Sequence, residues 1–348
     1  MNILVTGANG QLGQCIREIV EVNTNGVKDH YVGEKNHYIF KSRKELDILV
    51  YDDVLKCVKD EFINVIINCA AYTDVNAAQS NRDAAKLVNG VAVENLALAA
   101  KAVGAVLIHI STDYVFSAKY KTNTPRKPID VYDCSSYAVD PEENFYGYSK
   151  LLGERLIKKI GCKHIIIRTS WLYSWYGDNF VKKMYKKICN GDEIKVVYDQ
   201  VGSPTSAHEL ARFIYHIIEG HNQNTRYLCK EGIYNFAENG VASWYDIVQQ
   251  IRIILEIEGC EFDHSKIKPC LSSEFKQPVV RPNYSVLDNS KTVETFDYDI
   301  QYWADSLYHV VYRLFYEELD KMNEKIEKIE SSINKIEEEI IKLRTKHV

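Results

Sequence analysis

The feature that most restricts the fold stands at the very start of the chain. An apolar run, Asn2–Thr6, leads straight into Gly7-Ala8-Asn9-Gly10-Gln11-Leu12-Gly13. Glycine is needed where a chain turns sharply from strand to helix, where backbone must approach a pyrophosphate, and where helix packs on sheet. The helix that follows would point its free amides and positive dipole end at that turn. The spacing is GxxGxxG rather than GxGxxG, and a glycine trio alone also fits a plain tight turn. Its place behind the first strand favours a dinucleotide site built from Gly7, Asn9, Gly10, Gln11, Leu12 and Gly13.

The rest of the first half supports that reading. Apolar runs at Asn2–Thr6, 37–40, 64–69, 105–111 and His164–Thr169 predict buried parallel strands, with helical patterns between them at 11–22, 51–61, 81–103 and 144–160. Such alternation with right-handed crossovers gives an α/β fold, a Rossmann-type doubly wound parallel sheet. Beyond Trp171, short strands at 194–197 and 232–236 and helices at 208–218 and 243–257 lie within more loop. We therefore expect a dinucleotide-binding Rossmann domain over 1–170 and a smaller mixed α/β substrate lobe over 171–316, some of whose elements return to the first domain. A tail over 317–348 completes the chain. The polar stretch 117–144, with Pro125, Pro128 and Pro141, is too long for an ordinary connection and reads either as a lid or as an insertion.

Composition removes several classes of function. A hydrophobic share of 46% beside 26% charged residues excludes bulk disorder. A formal charge of -5 gives no electrostatic reason to expect nucleic acid. The nine cysteines show no CxxC or other metal-type spacing and read as small hydrophobes. No run approaches a membrane span and the N-terminus is not a signal sequence, so neither a membrane partner nor export is expected, and the cytoplasm is the default.

The residues that carry chemistry follow the strands. The second strand ends in Lys41-Ser42-Arg43, where an NAD enzyme would place a carboxylate on the ribose hydroxyls. Ser42 and Arg43 suit the extra phosphate of NADPH instead, with NADH left open as a cofactor, although a solvated basic turn also fits. Asp47 and Ile48 would flank the adenine, and Ala70, Ala71 and Tyr72 would let the cofactor lie close to the backbone. In Tyr146-Gly147-Tyr148-Ser149-Lys150, the tyrosine and lysine share one helix face. The ammonium should lower the phenol from about 10 towards the working range, so that Tyr146 gives a proton to a carbonyl oxygen as hydride arrives. Thr112 ends a strand where ligand sites form and would bond the same oxygen. Asp113 and Tyr114 stand beside it on the substrate side, Tyr114 as a packed aromatic rather than a catalytic group.

At these residues the sequence resembles the dTDP-4-dehydrorhamnose reductase family of extended short-chain dehydrogenases, from Met1 to about Leu314. The shared segments are GANGQLG, NCAAYTDV, HISTDYVF, YGYSKLLGE, IIIRTSWLY, DQVGSPT at 199–205, Gly240 with Ser243-Trp244-Tyr245, and RPNYSVL at 281–287. The resemblance implies hydride transfer from NADPH to the 4-keto group of dTDP-4-dehydro-L-rhamnose, with Thr112, Tyr146 and Lys150 as the catalytic set. Tyr146 and Lys150 would also touch the cofactor. Trp171 would flank the sugar, Asn179 and Phe180 would lie near it, and Arg281 would meet the diphosphate unless it is a surface ion-pair residue. Three departures stand out. Asn76 and Gln79 replace family carboxylates, leaving Asn76 as a helix cap; the loop before Tyr146 is long; and Cys15 replaces an acid, so no metal is expected. Two other readings remain: a non-catalytic NADP-binding regulatory subunit of the methionine adenosyltransferase type, and a UDP-sugar epimerase or reductase.

The tail lies outside the resemblance. Leu319, Met322, Ile326, Ile329, Ile333, Ile336, Ile340 and Leu343 recur three and four apart, an a/d heptad seam. In a parallel coiled coil Lys325 would meet Glu330 and Glu339 would meet Arg344, and the run of isoleucines leans towards trimers or higher. A homo-oligomer is the expectation; a helix folding back on its own domain is the alternative.

Overall fold

The computed structural model describes residues 1–25, 36–119, 124–128, 138–222, 227–275 and 278–345. Its first half runs β1 (Asn2–Thr6), α1 (Gln11–Asn25), β2 (His37–Lys41), α2 (Tyr51–Asp60), β3 (Ile63–Asn68), α3 (Val75–Ser80), α4 (Arg82–Lys86), α5 (Ala92–Val103), β4 (Val106–Thr112), α6 (Phe145–Ile160) and β5 (His164–Thr169). The second half adds β6 (Leu172–Tyr173), α7 (Phe180–Cys189), β7 (Ile194–Val197), β8 (Val201–Gly202), β9 (Thr205–Ser206), α8 (Ala207–Asn222) and β10 (Gly232–Asn235). It ends with β11 (Ala242–Ser243), α9 (Trp244–Ile257), β12 (Ile267–Cys270), β13 (Tyr284–Ser285), α10 (Ser290–Phe296) and α11 (Trp303–Thr345).

Six strands form one parallel sheet in the order β10-β5-β4-β3-β1-β2. The chain steps from β1 outward to β2 and then back to β3 on the other side, so the order reverses at β1. Ligand crevices open at such reversals, beyond the carboxyl ends of the strands. Strands covered on both faces read as unbroken apolar runs, and Ile3, Leu4 and Val5 are accordingly all fully buried. One face packs on α1 and α8 through Ile16, Leu210 and Phe213; the other packs on α2 and α5 through Val54, Val58 and Leu96.

A second core joins α7, α9 and the start of α11 through Val181, Tyr185, Ile247, Ile251, Leu307 and Val311. Around it lie three small sheets, of which β11-β8-β13 bears directly on the site. Arg313 of α11 pairs with Glu18 of α1 and lies 4.3 Å over the ring of Trp175. The last helix is thereby tied to the helix behind the glycine turn.

Three expectations need correction. The helix expected over 81–103 is broken by a π-helical turn, Leu87–Val91, that joins α4 to α5. Its cause is a close approach to α6: a Cβ on Gly90 would meet Leu152 at 2.9 Å, and Gly153 lies against the carbonyl of Asn89. The cap of α3 is Asp74, whose side chain accepts from the Ala77 amide at 2.9 Å, rather than Asn76. The terminal helix begins at Trp303, well before 317, and runs without a break into the tail. From Leu319 to Ile336 the seam side chains are 38–58% exposed, so they do not fold back on the domain. The side chains of Glu339, Ile340, Leu343 and Arg344 lie outside the described set. No helix among the described residues is long and apolar enough to cross a membrane.

Candidate active site

The turn after β1 is as tight as its glycines suggest. Gly7 has φ +66°, and a Cβ there would meet the Ala70 nitrogen at 2.6 Å. A Cβ on Gly13 would meet the Gly7 carbonyl at 2.5 Å. Side chains at either point would push β1 from β3 or α1 from the turn. Two cavities meet here, sharing Gly10, Cys69, Ala70 and Ala71. The smaller, about 300 Å³, is lined by Arg43, Asp47, Ile48 and Tyr72. The larger, about 570 Å³, reaches Leu12, Thr112, Tyr146 and Lys150. Two joined cavities at the amino end of a helix are what a dinucleotide site needs, one for each half of the ligand and free amides for its diphosphate.

Several residues expected at the cofactor have other commitments. Asn9 is exposed and lines neither cavity; its carbonyl accepts from Gln14 Nε2 at 2.9 Å. Gln11 lines the larger cavity, but its Oε1 accepts from Ser174 Oγ and from Asn179 Nδ2, at 3.0 and 2.9 Å, fastening the 174–179 loop. Ser42 donates its hydroxyl to Glu45 Oε2 at 2.6 Å, so a carboxylate holds the group expected to meet the ribose phosphate. That bond, with one from the Ser42 amide, holds the Glu45 pKa below the usual carboxylate value. Arg43 lines the smaller cavity at this edge, where Lys41 and Arg17 also act on Glu45.

The reacting groups come from β4 and α6. Asn144 caps α6 by accepting from the Gly147 amide at 3.0 Å. Gly147 lies against the Tyr114 carbonyl with no room for a Cβ, which brings Tyr146 beside Thr112. Tyr146 and Thr112 line the same cavity. Lys150 is buried and donates to the Ile110 carbonyl at 2.6 Å. Burial pushes its pKa down to about 8, against the opposing pull of Glu154. The expected lowering of the tyrosine is overturned: burial raises Tyr146 well above the usual phenol value, and the ammonium is turned to Ile110 instead. Beneath the pair, Glu154 takes Arg168 Nε and Nη2 at 2.9 and 2.6 Å and Ser111 Oγ at 2.5 Å.

Asp113 is 2% exposed and spends both carboxylate oxygens on neighbours. Oδ1 accepts from Thr112 at 3.0 Å and Oδ2 from Ser285. Burial lifts its pKa to about 6. The ring of Tyr114 meets that of Tyr146 edge-on, with centroids 5.9 Å apart. Burial raises Tyr114 to about 12, while the nearby Arg281 pulls the other way. Arg281 lines the larger cavity with its Nε buried and without a hydrogen-bond partner among the described residues.

The far wall is aromatic. Trp171, at φ +47°, stacks on Trp244 at 3.6 Å and 10°, and Phe180 meets Trp244 at 4.6 Å. Gly202 of β8 lies under the Trp171 indole, where a Cβ would approach to 2.8 Å. The DQVGSPT and RPNYSVL segments thus act together: β8 and β13 pair, one backing Trp171 and the other delivering Ser285. Asn179 caps α7 through the Lys182 amide while lining the cavity. Gln79 accepts from the Phe145 amide at 2.9 Å and donates to the Glu142 carbonyl at 3.3 Å, a double role a carboxylate could not fill. Sequence reasoning missed Trp244, Ser285 and the buried Asn89, which brackets the Tyr72 backbone and bonds Ser149.

Of the stretch 117–144, the described parts pack down. Arg126 bonds the backbone of Val286 and Asp288, and Glu143 holds Ser117 Oγ at 2.8 Å. Residues 120–123 and 129–137, on which the choice between lid and insertion rests, lie outside the described residues.

A parallel sheet with a glycine turn at its reversal point, and a Thr/Tyr/Lys group across the same cleft, define a nucleotide-dependent oxidoreductase of the extended short-chain dehydrogenase type. Residues 1–315 match the family model described as the RmlD substrate binding domain, and the chain belongs to that family. A dTDP-4-dehydrorhamnose reductase of Burkholderia thailandensis is 33% identical over 310 residues, covering 87% of this chain and 95% of the relative. A crystal structure of the Clostridium acetobutylicum reductase is 36% identical, with TM-score 0.75, covering 90% of this chain and 99% of that one. The Bacillus anthracis reductase, solved with NADP, is 30% identical with TM-score 0.75 over the same shares.

Proposed function

We propose that the protein reduces the 4-keto group of dTDP-4-dehydro-L-rhamnose with NADPH, giving dTDP-L-rhamnose. The observation that carries this is the meeting of Thr112, Tyr146 and Lys150 in a cavity walled by Trp171 and Trp244 and edged by Arg281. NADPH supplies the hydride. The half-buried Tyr146 phenol, kept protonated, gives its proton to the carbonyl oxygen, and the Lys150 ammonium would have to swing from the Ile110 carbonyl to stabilise the phenolate left behind. Trp171 and Trp244 flank the sugar and keep water out, with Asn179 and Phe180 at its edge. Arg281 meets the diphosphate, its unpartnered Nε favouring this over a surface ion pair. On the cofactor side, Arg43 takes the ribose phosphate, Asp47 and Ile48 flank the adenine, and Ala70, Ala71 and Tyr72 form the floor. The chain then divides into a cofactor part over 1–170, a mainly substrate-binding part over 171–316 and the tail, working in the cytoplasm.

The test is NADPH oxidation with dTDP- and UDP-4-keto-6-deoxy sugars side by side. Turnover of the dTDP sugar is expected. Preference for the UDP sugar would move the chain to another nucleotide-sugar enzyme, and NADPH binding without turnover would make it a regulatory subunit.

The exposed seam supports a second element of the reading: the tail assembles with other copies of the chain as a coiled coil. Deleting 317–348 should lower the mass found by light scattering and leave turnover intact. A parent that is already monomeric would refute it.

A further inference from the structure

Gln11 opens α1 at the cofactor turn, and its neighbours settle how its amide is oriented. Asn179 caps α7, its Oδ1 accepting from the Lys182 amide at 3.1 Å. Its Nδ2 is therefore the donor, to Gln11 at 2.9 Å, to the Ser174 carbonyl at 2.8 Å and to the Tyr176 carbonyl at 3.3 Å. The Gln11 atom that meets it must be the acceptor, Oε1. The Ser174 hydroxyl lies 3.0 Å from the same oxygen, but it has one hydrogen, and the Tyr176 carbonyl competes for it at 2.9 Å. The bond from Asn179 is the one on which the contact depends. With two Nδ2 hydrogens set against three acceptors, Asn179 lines the cavity with no hydrogen left for a sugar.

The loop between the two residues is shaped for this contact. Gly177 has φ +63°, and a Cβ there would meet Gln11 Cγ at 2.9 Å. Tyr176 ties the same loop to α1 a second time, donating its hydroxyl to Glu18 Oε2 at 3.1 Å. From Asn179 the contact passes to the wall of the site. Phe180 is the first residue of α7, its ring lies 4.6 Å from Trp244, and Trp244 stacks on Trp171 at 3.6 Å. On its other side Trp244 is steadied by Gln200, which accepts from the indole nitrogen at 3.3 Å.

We infer that Gln11 and Asn179 form a positioning pair. Their bond sets the start of α7, and through Phe180 the Trp171–Trp244 wall, relative to the cofactor turn, so that sugar affinity depends on a side chain of the cofactor helix. Neither residue has to touch the sugar to do this. The inference rests on the larger cavity's being the sugar site, as proposed above.

The experiment measures NADPH-dependent reduction of the dTDP-4-keto-6-deoxy sugar in the full chain, with NADPH affinity alongside. Asn179→Ser keeps a capping oxygen for α7 but is too short to reach Gln11. Losing that one bond should raise the sugar KM about fivefold, with a smaller fall in kcat and NADPH affinity retained. Gln11→Leu should raise the sugar KM to a similar extent. The double variant should be no worse than the worse single, because both changes remove the same bond. An unchanged sugar KM in Asn179→Ser, or losses that add in the double variant, overturn the inference. A parent that fails to turn over the sugar would sink the proposed reaction instead, and the wall then decides this one without substrate. The circular-dichroism band of the stacked Trp171–Trp244 pair, identified by its loss in Trp244→Phe, should weaken in Asn179→Ser and in Gln11→Leu. A band of parental strength in either variant refutes the arrangement.

Discussion

Replacing Glu154 by glutamine tests the ground on which the reacting groups stand. Glu154 and Arg168 are both 0% exposed and joined by two bonds of 2.9 and 2.6 Å, with Ser111 Oγ a third donor at 2.5 Å. Three donors thus converge on one carboxylate. Glutamine offers a single acceptor oxygen and turns an NH₂ towards donors, so the guanidinium stays buried without its counter-charge. Breaking a buried pair from one side costs about 3–5 kcal/mol. That is a large part of the roughly 5–15 kcal/mol by which a domain is stable. Urea unfolding should therefore show a much lower midpoint for Glu154→Gln. The double variant Glu154→Leu/Arg168→Met removes both charges and should recover most of the loss. Activity carries a second signature. Burial already lowers Lys150 to about 8 and Glu154 opposes that fall, so without the carboxylate the ammonium loses its proton at a lower pH still. The alkaline limb of turnover should move down in Glu154→Gln. A stability loss below about 1 kcal/mol, or a double variant no better than the single, would refute the argument.

Three further outcomes are expected. Tyr146→Phe should lower turnover about a hundredfold or more while NADPH binding survives, and turnover within a factor of three of the parent would contradict the proton-donor role. Arg43→Ala should weaken NADPH far more than NADH, because only NADPH presents a ribose phosphate to the guanidinium; equal losses would place Arg43 in solvent. Gly13→Ala should lower both melting temperature and cofactor affinity, since its Cβ would meet the Gly7 carbonyl at 2.5 Å. Parental values for both would mean that the turn has slack.

Much of this was legible in the sequence because its signals are local. Strands buried on both faces announce themselves as apolar runs, and Tyr146 and Lys150 line one cavity because four residues make about one turn of helix. What stayed hidden depends on distant parts of the chain. The π-helical turn at Leu87–Val91 arises where Gly90 and Gly153 let two helices close up, and neither glycine reveals its partner. The bond from Ser285 to Asp113 spans 172 residues, and only the fold says that they meet. Two misses were avoidable. Ser42 and Glu45 form the S-x-x-E pattern of a local capping turn, which predicts that the hydroxyl is occupied. The raised Tyr146 reflects burial, which the apolar strand and helix around it already implied.

The continuity of α11 has a consequence for anyone who would engineer an assembly on the tail. Arg313, clamped to Glu18 and laid over Trp175, sits only six residues before the first exposed seam position, Leu319. No hinge separates them, so the azimuth of the seam is fixed relative to the cofactor helix. Each residue inserted after Glu317 would turn the seam by about 100° and advance it about 1.5 Å. If the tail assembles as proposed, a foreign heptad cassette grafted in phase would set the number of subunits while keeping each cleft at the same azimuth to the coiled-coil axis. The same cassette grafted one residue out of phase would present its apolar edge in another direction and turn each cleft about that axis by about 100°.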